Sequence, residues 1–161
     1  VHVDTHLRFS NHVDSIIAKV KPATHALVQL KKVGVTPSSL TVFYRSRILS
    51  LLSYAAPSWF PFLSNNDKMR LERLQKLCLR VILPSCDEYD QRLSILGLQE
   101  LSVYLDICCL KYAAKISQTA SHPLRQYIPP IQRTGKTRHI PLARPKCRTS
   151  LCSKSFFYKY F

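Results

Sequence analysis

The chain has 161 residues, 46% of them hydrophobic, and a formal net charge of +15 from 24 Lys and Arg against nine Asp and Glu. That length and apolar content suffice for one ordinary core and exclude a disordered polar chain, while no apolar run reaches the roughly twenty residues needed to span a bilayer. The charge is polarised, with thirteen basic and nine acidic side chains in residues 1–106 but eleven Lys and Arg and no Asp or Glu in residues 107–161. Such a segment either binds a polyanion through its phosphates or forms a solvated basic end.

Gly is scarce at three residues and Pro frequent at ten, so proline and polar clusters punctuate the chain. Val1 to Leu7 open in a strand-like pattern with no initiator Met, and the chain reads as a piece of something longer. A first helix starts with Ser10 or Asn11 as cap and carries Val13, Ile16, Ile17, Val20, Leu27 and Leu30 on one stripe, with Pro22 expected to bend or divide it. Gly34 ends it. Thr36 caps a second helix with Pro37 in its first position, and Leu40, Phe43, Tyr44, Ile48, Leu51, Leu52 and Ala55 form its apolar face up to a stop at Pro57.

The cluster Ser64, Asn65, Asn66 opens a third helix with Leu71, Leu74, Leu77, Cys78, Val81 and Ile82 inward, closed by Pro84. Arg73, Lys76 and Arg80 fall on its other side, either as a phosphate-contacting stripe or as a solvated face with Glu72 paired to Lys76. A short helix spans Tyr89 to Leu96, and a fifth runs from about Glu100 to Ser117 with Leu101, Tyr104, Leu105, Cys108, Tyr112 and Ile116 inward. Beyond Ser121 the period is lost and Pro123, Pro129, Pro130, Pro141 and Pro145 break the chain into extended pieces. The aromatic end, Phe156, Phe157, Tyr158, Tyr160 and Phe161, alternates with Lys154 and Lys159, and either stacks on unpaired bases or packs back on the helices. The predicted fold is all-α: an irregular bundle of about five helices with an extended, partly disordered basic C-terminal tail.

No Gly-rich phosphate loop, nucleophile turn or zinc helix is present. Asp87, Glu88 and Asp90 are the one carboxylate cluster; they have the chemistry for magnesium, and their place before a short helix suits capping. His2 with His6, and Cys147 with Cys152, have metal-ligand spacing without the second half of a site. Adjacent Cys108 and Cys109 sit on or beside an apolar helix face, where packing is the ordinary role. Six cysteines without framework spacing, and no signal-peptide pattern at the start, suit reduced thiols in an intracellular, non-secreted protein of the cytoplasm or nucleus.

The ordered text of the chain resembles the C-terminal region, thumb and post-thumb, of a non-LTR retrotransposon reverse transcriptase of the LINE, jockey or CR1 kind. The carrying residues are Val3-Asp4 through Leu7-Arg8-Phe9 to His12-Val13, then Lys21-Pro22-Ala23 and Leu27 to Leu30. They continue through Phe43-Tyr44-Arg45, Ile48-Leu49, Leu52-Ser53-Tyr54-Ala55-Ala56-Pro57 and Trp59. Leu71-Glu72-Arg73-Leu74-Gln75-Lys76, Arg80-Val81-Ile82, Ser121-His122-Pro123-Leu124, and Pro145-Lys146-Cys147-Arg148-Thr149-Ser150 through Ser155-Phe156-Phe157 complete the match.

The resemblance implies a strand-like remnant at residues 1–9, thumb-like helices over 10–62, a post-thumb helical region over 63–120 and a basic, Pro-rich, aromatic tail over 121–161. It also implies an RNA and DNA template-primer as partner, and an upstream palm domain. The palm turn of Tyr or Phe, x, Asp, Asp is missing, so no pair of magnesium ions can be positioned and the chain alone is expected to have no polymerase activity and no cofactor. The chain also stops before the Trp-Asn-x-Leu-Pro stretch that the resemblance leads one to expect next, and reads as truncated. The expected backbone contacts are Arg45, Arg47, Arg73, Lys76, Arg80, Lys146, Arg148 and Lys154. The stretch from about His25 to Phe60 is also similar to the N-terminal helical segment of AlkB-homologue proteins, whose iron and 2-oxoglutarate chemistry implies a His-x-Asp pair; His2 and Asp4 have that spacing. The second reading is a helical protein-interaction module docking on a palm or another partner, and the third an AlkB-like 2-oxoglutarate and iron oxygenase-related protein.

Overall fold

A computed structural model of the chain describes residues 1–3, 7–128 and 147–161. Among them there is no strand, and five helices have seven or more residues: α1 (Ser10–Lys32), α2 (Pro37–Phe43), α5 (Asn65–Ile82), α6 (Tyr89–Leu96) and α7 (Leu101–Gln118). Two short helices, α3 (Ser50–Ser53) and α4 (Ala56–Trp59), connect α2 to α5, and α8 (Ser150–Lys154) and α9 (Phe156–Tyr160) lie near the end. No single helix among the described residues is long and apolar enough to cross a membrane.

Among the described residues of the opening stretch no strand forms. Leu7 and Phe9 adopt positive φ of 51° and 57°, a left-handed conformation incompatible with a strand. Phe9 takes the N-cap position of α1, so Ser10 and Asn11 lie inside the helix rather than capping it. Its ring is 3% exposed and sits 5.6 Å from that of Phe62; burying a large apolar side chain offsets the backbone strain. The Ser10 hydroxyl is used elsewhere, donating to Asp67 Oδ2 at 3.0 Å.

Pro22 does not divide α1, which runs through it for 23 residues. Both Pro22 and Ala18 lie on the exposed face, where the carbonyl released by the missing N–H is open to water. Gly34 (φ 86°) ends the helix as expected: the Val35 amide donates to the Leu30 carbonyl and the Gly34 amide to that of Lys31, both at 3.1 Å. Thr36 then caps α2, its hydroxyl accepting from the Ser39 amide at 3.4 Å.

Between α2 and α3 the chain is π-helical over Tyr44–Leu49. The wider turn rotates the residues beyond it, so Leu49 becomes buried and Leu51, expected inward, is 38% exposed. Pro57 is not a stop. The helix ends at Ser53, Ala55 turns left-handed at φ 51°, and Pro57 sits in the first turn of α4. The indole of Trp59, fully buried, donates to the Tyr54 carbonyl at 2.9 Å and holds this corner.

Helix α5 packs along α1 and touches α6 and α7. Ser64 caps it, accepting from the Asp67 amide at 3.1 Å. Its buried stripe is Leu71, Gln75, Cys78, Leu79 and Ile82, while Leu77 is 49% exposed, so the inner face is turned from the predicted one. The reason is Gln75, a polar residue that the apolar pattern could not place in the core. Its Oε1 accepts from the Tyr44 hydroxyl at 2.7 Å, and its Nε2 donates to the Gln99 carbonyl at 2.7 Å and the Tyr89 hydroxyl at 2.9 Å. Tyr89 in turn donates to Glu72, which also accepts from the Leu101 and Ser102 amides at 3.3 Å. A carboxylate thus sits at the N-terminus of α7, where its first amides lack helix partners. Helix α7 turns Leu101, Leu105, Cys109, Ala113 and Ile116 inward, Cys109 rather than the predicted Cys108.

The aromatic end packs back on the bundle. Phe156 is 8% exposed, 5.8 Å from Tyr112 and 5.2 Å from Tyr160. Asp106 accepts from Lys159 Nζ at 2.6 Å and from the Tyr160 hydroxyl. One apolar cluster therefore runs from Phe9 to Phe156 and draws on every long helix.

Candidate nucleic-acid interface

The fold divides its cations into two groups. The first is consumed inside the molecule. Arg92, 5% exposed, donates from Nε to the Leu83 carbonyl at 3.1 Å and from Nη2 to the Cys86 carbonyl. Lys31 donates to the Ile82 carbonyl at 3.1 Å, so the end of α5 is closed by two cations. Arg70 pairs with Asp14 and, at 3.2 Å, with Asp67, and Lys159 pairs with Asp106. Arg45 belongs here too: its Nη2 donates to the carbonyls of Leu96 at 3.0 Å and Gly97 at 2.8 Å. It ties the π-helical segment to the carbonyl end of α6, which leaves it fewer donors for a phosphate.

The second group faces solvent. Arg47, Arg73, Arg80, Arg148 and Lys154 are exposed, and none is in an ion pair among the described residues. Arg73, Lys76 and Arg80 share the outer side of α5, as the helical period predicts. The Glu72–Lys76 pair does not form, because Glu72 is turned toward Tyr89 and the start of α7. Lys76 instead lies 4.7 Å from the centre of the Tyr89 ring. Arg47 borders a groove of about 440 Å³ between α1 and the π-helical segment, with Lys19, Ser46 and Ser50 on its walls. Lys154 borders a second cavity, about 470 Å³, together with Arg8. Lys146 lies outside the described residues.

The sequence offered no sign that Arg45 would be spent on the fold, since its acceptors lie 51 and 52 residues further along, nor that Arg70 would reach Asp14 across 56 residues, although its pairing with Asp67 three residues back is local. It also gave no signal for Lys19, which only the approach of α1 to the π-helical segment brings beside Arg47.

Among the described residues no group of three His, Cys, Asp or Glu side chains could hold a metal ion. Glu88 is the N-cap residue of α6 without a side-chain cap bond, and its carboxylate accepts from Gln91 Nε2 at 2.6 Å. His6 and Asp4 lie outside the described residues, so the His2 pairings with them are not described. Cys147 and Cys152 bring their sulfurs to 2.8 Å. Burial pushes the thiols of Cys78 and Cys109 up to about 11, which keeps both protonated and unreactive at neutral pH.

No family model matches the chain, and no curated protein and no solved structure matches it.

Proposed function

We propose that this chain is a non-catalytic grip on nucleic acid, the thumb and C-terminal extension of a retroelement RNA-directed DNA polymerase, holding an RNA and DNA template-primer by its backbone. One observation carries the reading: after the fold has taken the cations it needs, Arg47, Arg73, Arg80, Arg148 and Lys154 remain exposed and outside any ion pair among the described residues. Surface cations not neutralised by carboxylates are what phosphate contact requires, and each phosphate neutralised releases counterions. The order of motifs along the chain adds the polymerase context.

The test is the salt dependence of binding to an RNA:DNA hybrid. Arg73→Gln, Arg80→Gln and Arg47→Gln should each reduce the slope of log affinity against log salt by about one. Arg45→Gln should lower stability and leave that slope nearly unchanged, because its donors serve Leu96 and Gly97. Binding that is absent or indifferent to salt would sink the proposal. A second reading, a module that docks on a palm or another protein, is favoured by Met69 and Leu77 on α5 and Val103 and Leu110 on α7, each between 45% and 53% exposed. It predicts association through apolar surface that strengthens with salt rather than weakening.

A further inference from the structure

Four of the six cysteines sit on or beside the long helices of the bundle. Cys78 and Cys109 are buried, Cys108 is half-buried beside Cys109 on α7, and Cys86 donates to the Glu88 carbonyl and the Gln91 amide oxygen, both at 3.5 Å. The other two face each other. The Thr149 hydroxyl accepts from the Cys152 amide at 3.2 Å and caps α8. The turn that it sets folds the chain back, so that Cys147, just before the cap, brings its sulfur to 2.8 Å from that of Cys152. Cys152 is exposed and Cys147 half-buried. A tetrahedral zinc holds its sulfurs further apart than this, and among the described residues no third ligand joins the two.

We infer that Cys147 and Cys152 form a redox-sensitive dithiol, which a low-molecular-weight disulfide converts to an intrachain disulfide that fastens the turn of α8. Exchange proceeds by attack of a thiolate on a disulfide sulfur. Access decides the order. Cys152 is the exposed sulfur, and the Cys147 S–H donates to it. The Cys152 thiolate attacks one sulfur of the oxidant, giving a mixed disulfide and a first small thiolate, which takes up a proton. Cys147, already in contact, loses its proton to solvent and attacks the Cys152 sulfur. The bond from Cys152 to the small thiol breaks, and the second small thiolate leaves and is protonated. Two protein thiols are oxidised to one disulfide, and one small disulfide is reduced to two thiols.

The bond supplies what the length of α8 does not. A helix of five residues is too short to hold itself, and its supports are the Thr149 cap and the contact with the segment Phe60–Phe62. Arg148 lies inside the ring that the disulfide closes and Lys154 just beyond it, both exposed. Oxidation therefore fixes the backbone that carries these two cations. The clasp stands whether or not the chain binds nucleic acid.

The experiment equilibrates the reduced full chain with mixtures of oxidised and reduced glutathione, quenches with acid, alkylates the remaining thiols and maps the peptides by mass spectrometry. In the expected product Cys147 and Cys152 are joined, two hydrogens lighter, while Cys78, Cys86, Cys108 and Cys109 are alkylated. Cysteines this near in sequence also close in an unfolded chain, so the deciding quantity is the ratio of the closure constants in buffer and in denaturant. It should be about tenfold or more, the gain of holding two sulfurs in contact over joining them by a flexible linker. Thr149→Val removes the cap and should take most of that gain away. Cys147→Ser should accumulate a mixed disulfide on Cys152, and Cys152→Ser little at Cys147. Protease cleavage between Arg148 and Lys154 should slow on oxidation of the wild-type chain. Equal closure in buffer and denaturant, a mixed disulfide that persists on wild-type Cys152, or pairing of either cysteine with a third overturns the dithiol. Closure that leaves the cleavage rate unchanged overturns the fastening.

Discussion

The bundle and the C-terminal segment docked on it are held by different means. In the bundle, Leu27, Leu40, Ile48, Leu52, Trp59 and Ile82 are completely buried, and the buried Gln75 has partners for both ends of its amide. The segment from Cys147 to Phe161 has one buried residue, Phe156, and among the described residues one ion pair, Lys159 with Asp106. A structure with that asymmetry should open from the segment first, at a free-energy cost well below that of global unfolding. It teaches that the ends of the charge distribution differ in kind: the cations of the bundle are displayed by a rigid frame, those of the segment by an attachment that can come off.

Removing the corner of the frame is the largest perturbation. Trp59→Ala deletes a fully buried ring and the donor to the Tyr54 carbonyl; it should cost about 3–5 kcal/mol in denaturant unfolding. Phe156→Ala should do something qualitatively different: release the segment to protease and hydrogen exchange while the bundle's unfolding midpoint barely moves. If the midpoint falls as far as for Trp59→Ala, the two regions are one cooperative unit and the contrast is wrong.

A smaller effect is expected at Asp106. Burial pushes its carboxyl up, but the Lys159 ammonium and the Tyr160 hydroxyl more than offset that and hold it below the usual carboxylate range. A carboxyl with a depressed folded value stabilises above its ordinary value of 3.8 and loses that contribution as pH falls through the folded one. Docking of the segment should therefore weaken in acid below about pH 4. Asp106→Asn, at a half-exposed pair, should cost about 0.2–1 kcal/mol of docking and remove the acid dependence.

The smallest expected effect lies in the bundle, at His12. Its Nδ1 accepts from the His2 amide at 3.4 Å and its Nε2 is buried without a hydrogen-bond partner, 5.4 Å between ring centres from Trp59. Burial first, then the chain's amino terminus, His2 and Lys19, lowers its basicity below the ordinary 6.5. The unfolded chain then binds the proton more readily, so bundle stability is full above pH 6.5 and declines as pH falls from there toward the folded value. His12→Phe should flatten the pH profile in that window; an unchanged profile would remove His12 as its cause.

The helical architecture was legible because period and punctuation agree along most of the chain. Thr36 with Pro37, Gly34, and Ser64 all act as their chemistry dictates. The failures have physical causes. Pro22 sits where solvent satisfies the carbonyl that it releases, Gln75 is buried because three partners converge on it from distant segments, and no local signal announces a π-helical turn. For the candidate interface, the outward stripe Arg73, Lys76 and Arg80 was legible from helix period alone. The commitment of Arg45 was not, since its acceptors lie 51 and 52 residues further along.

The π-helical turn carries a lesson about length rather than chemistry. A helix advances about 100° per residue, and the π-helical turn over Tyr44–Leu49 already takes up one residue more than an α turn would. Inserting a further residue there would swing the flanking halves against each other by about that angle. Arg45 and Leu49 could not then both keep their places, one at the carbonyl end of α6 and the other in the core. In this stretch the number of residues is under tighter constraint than the identity of most of them.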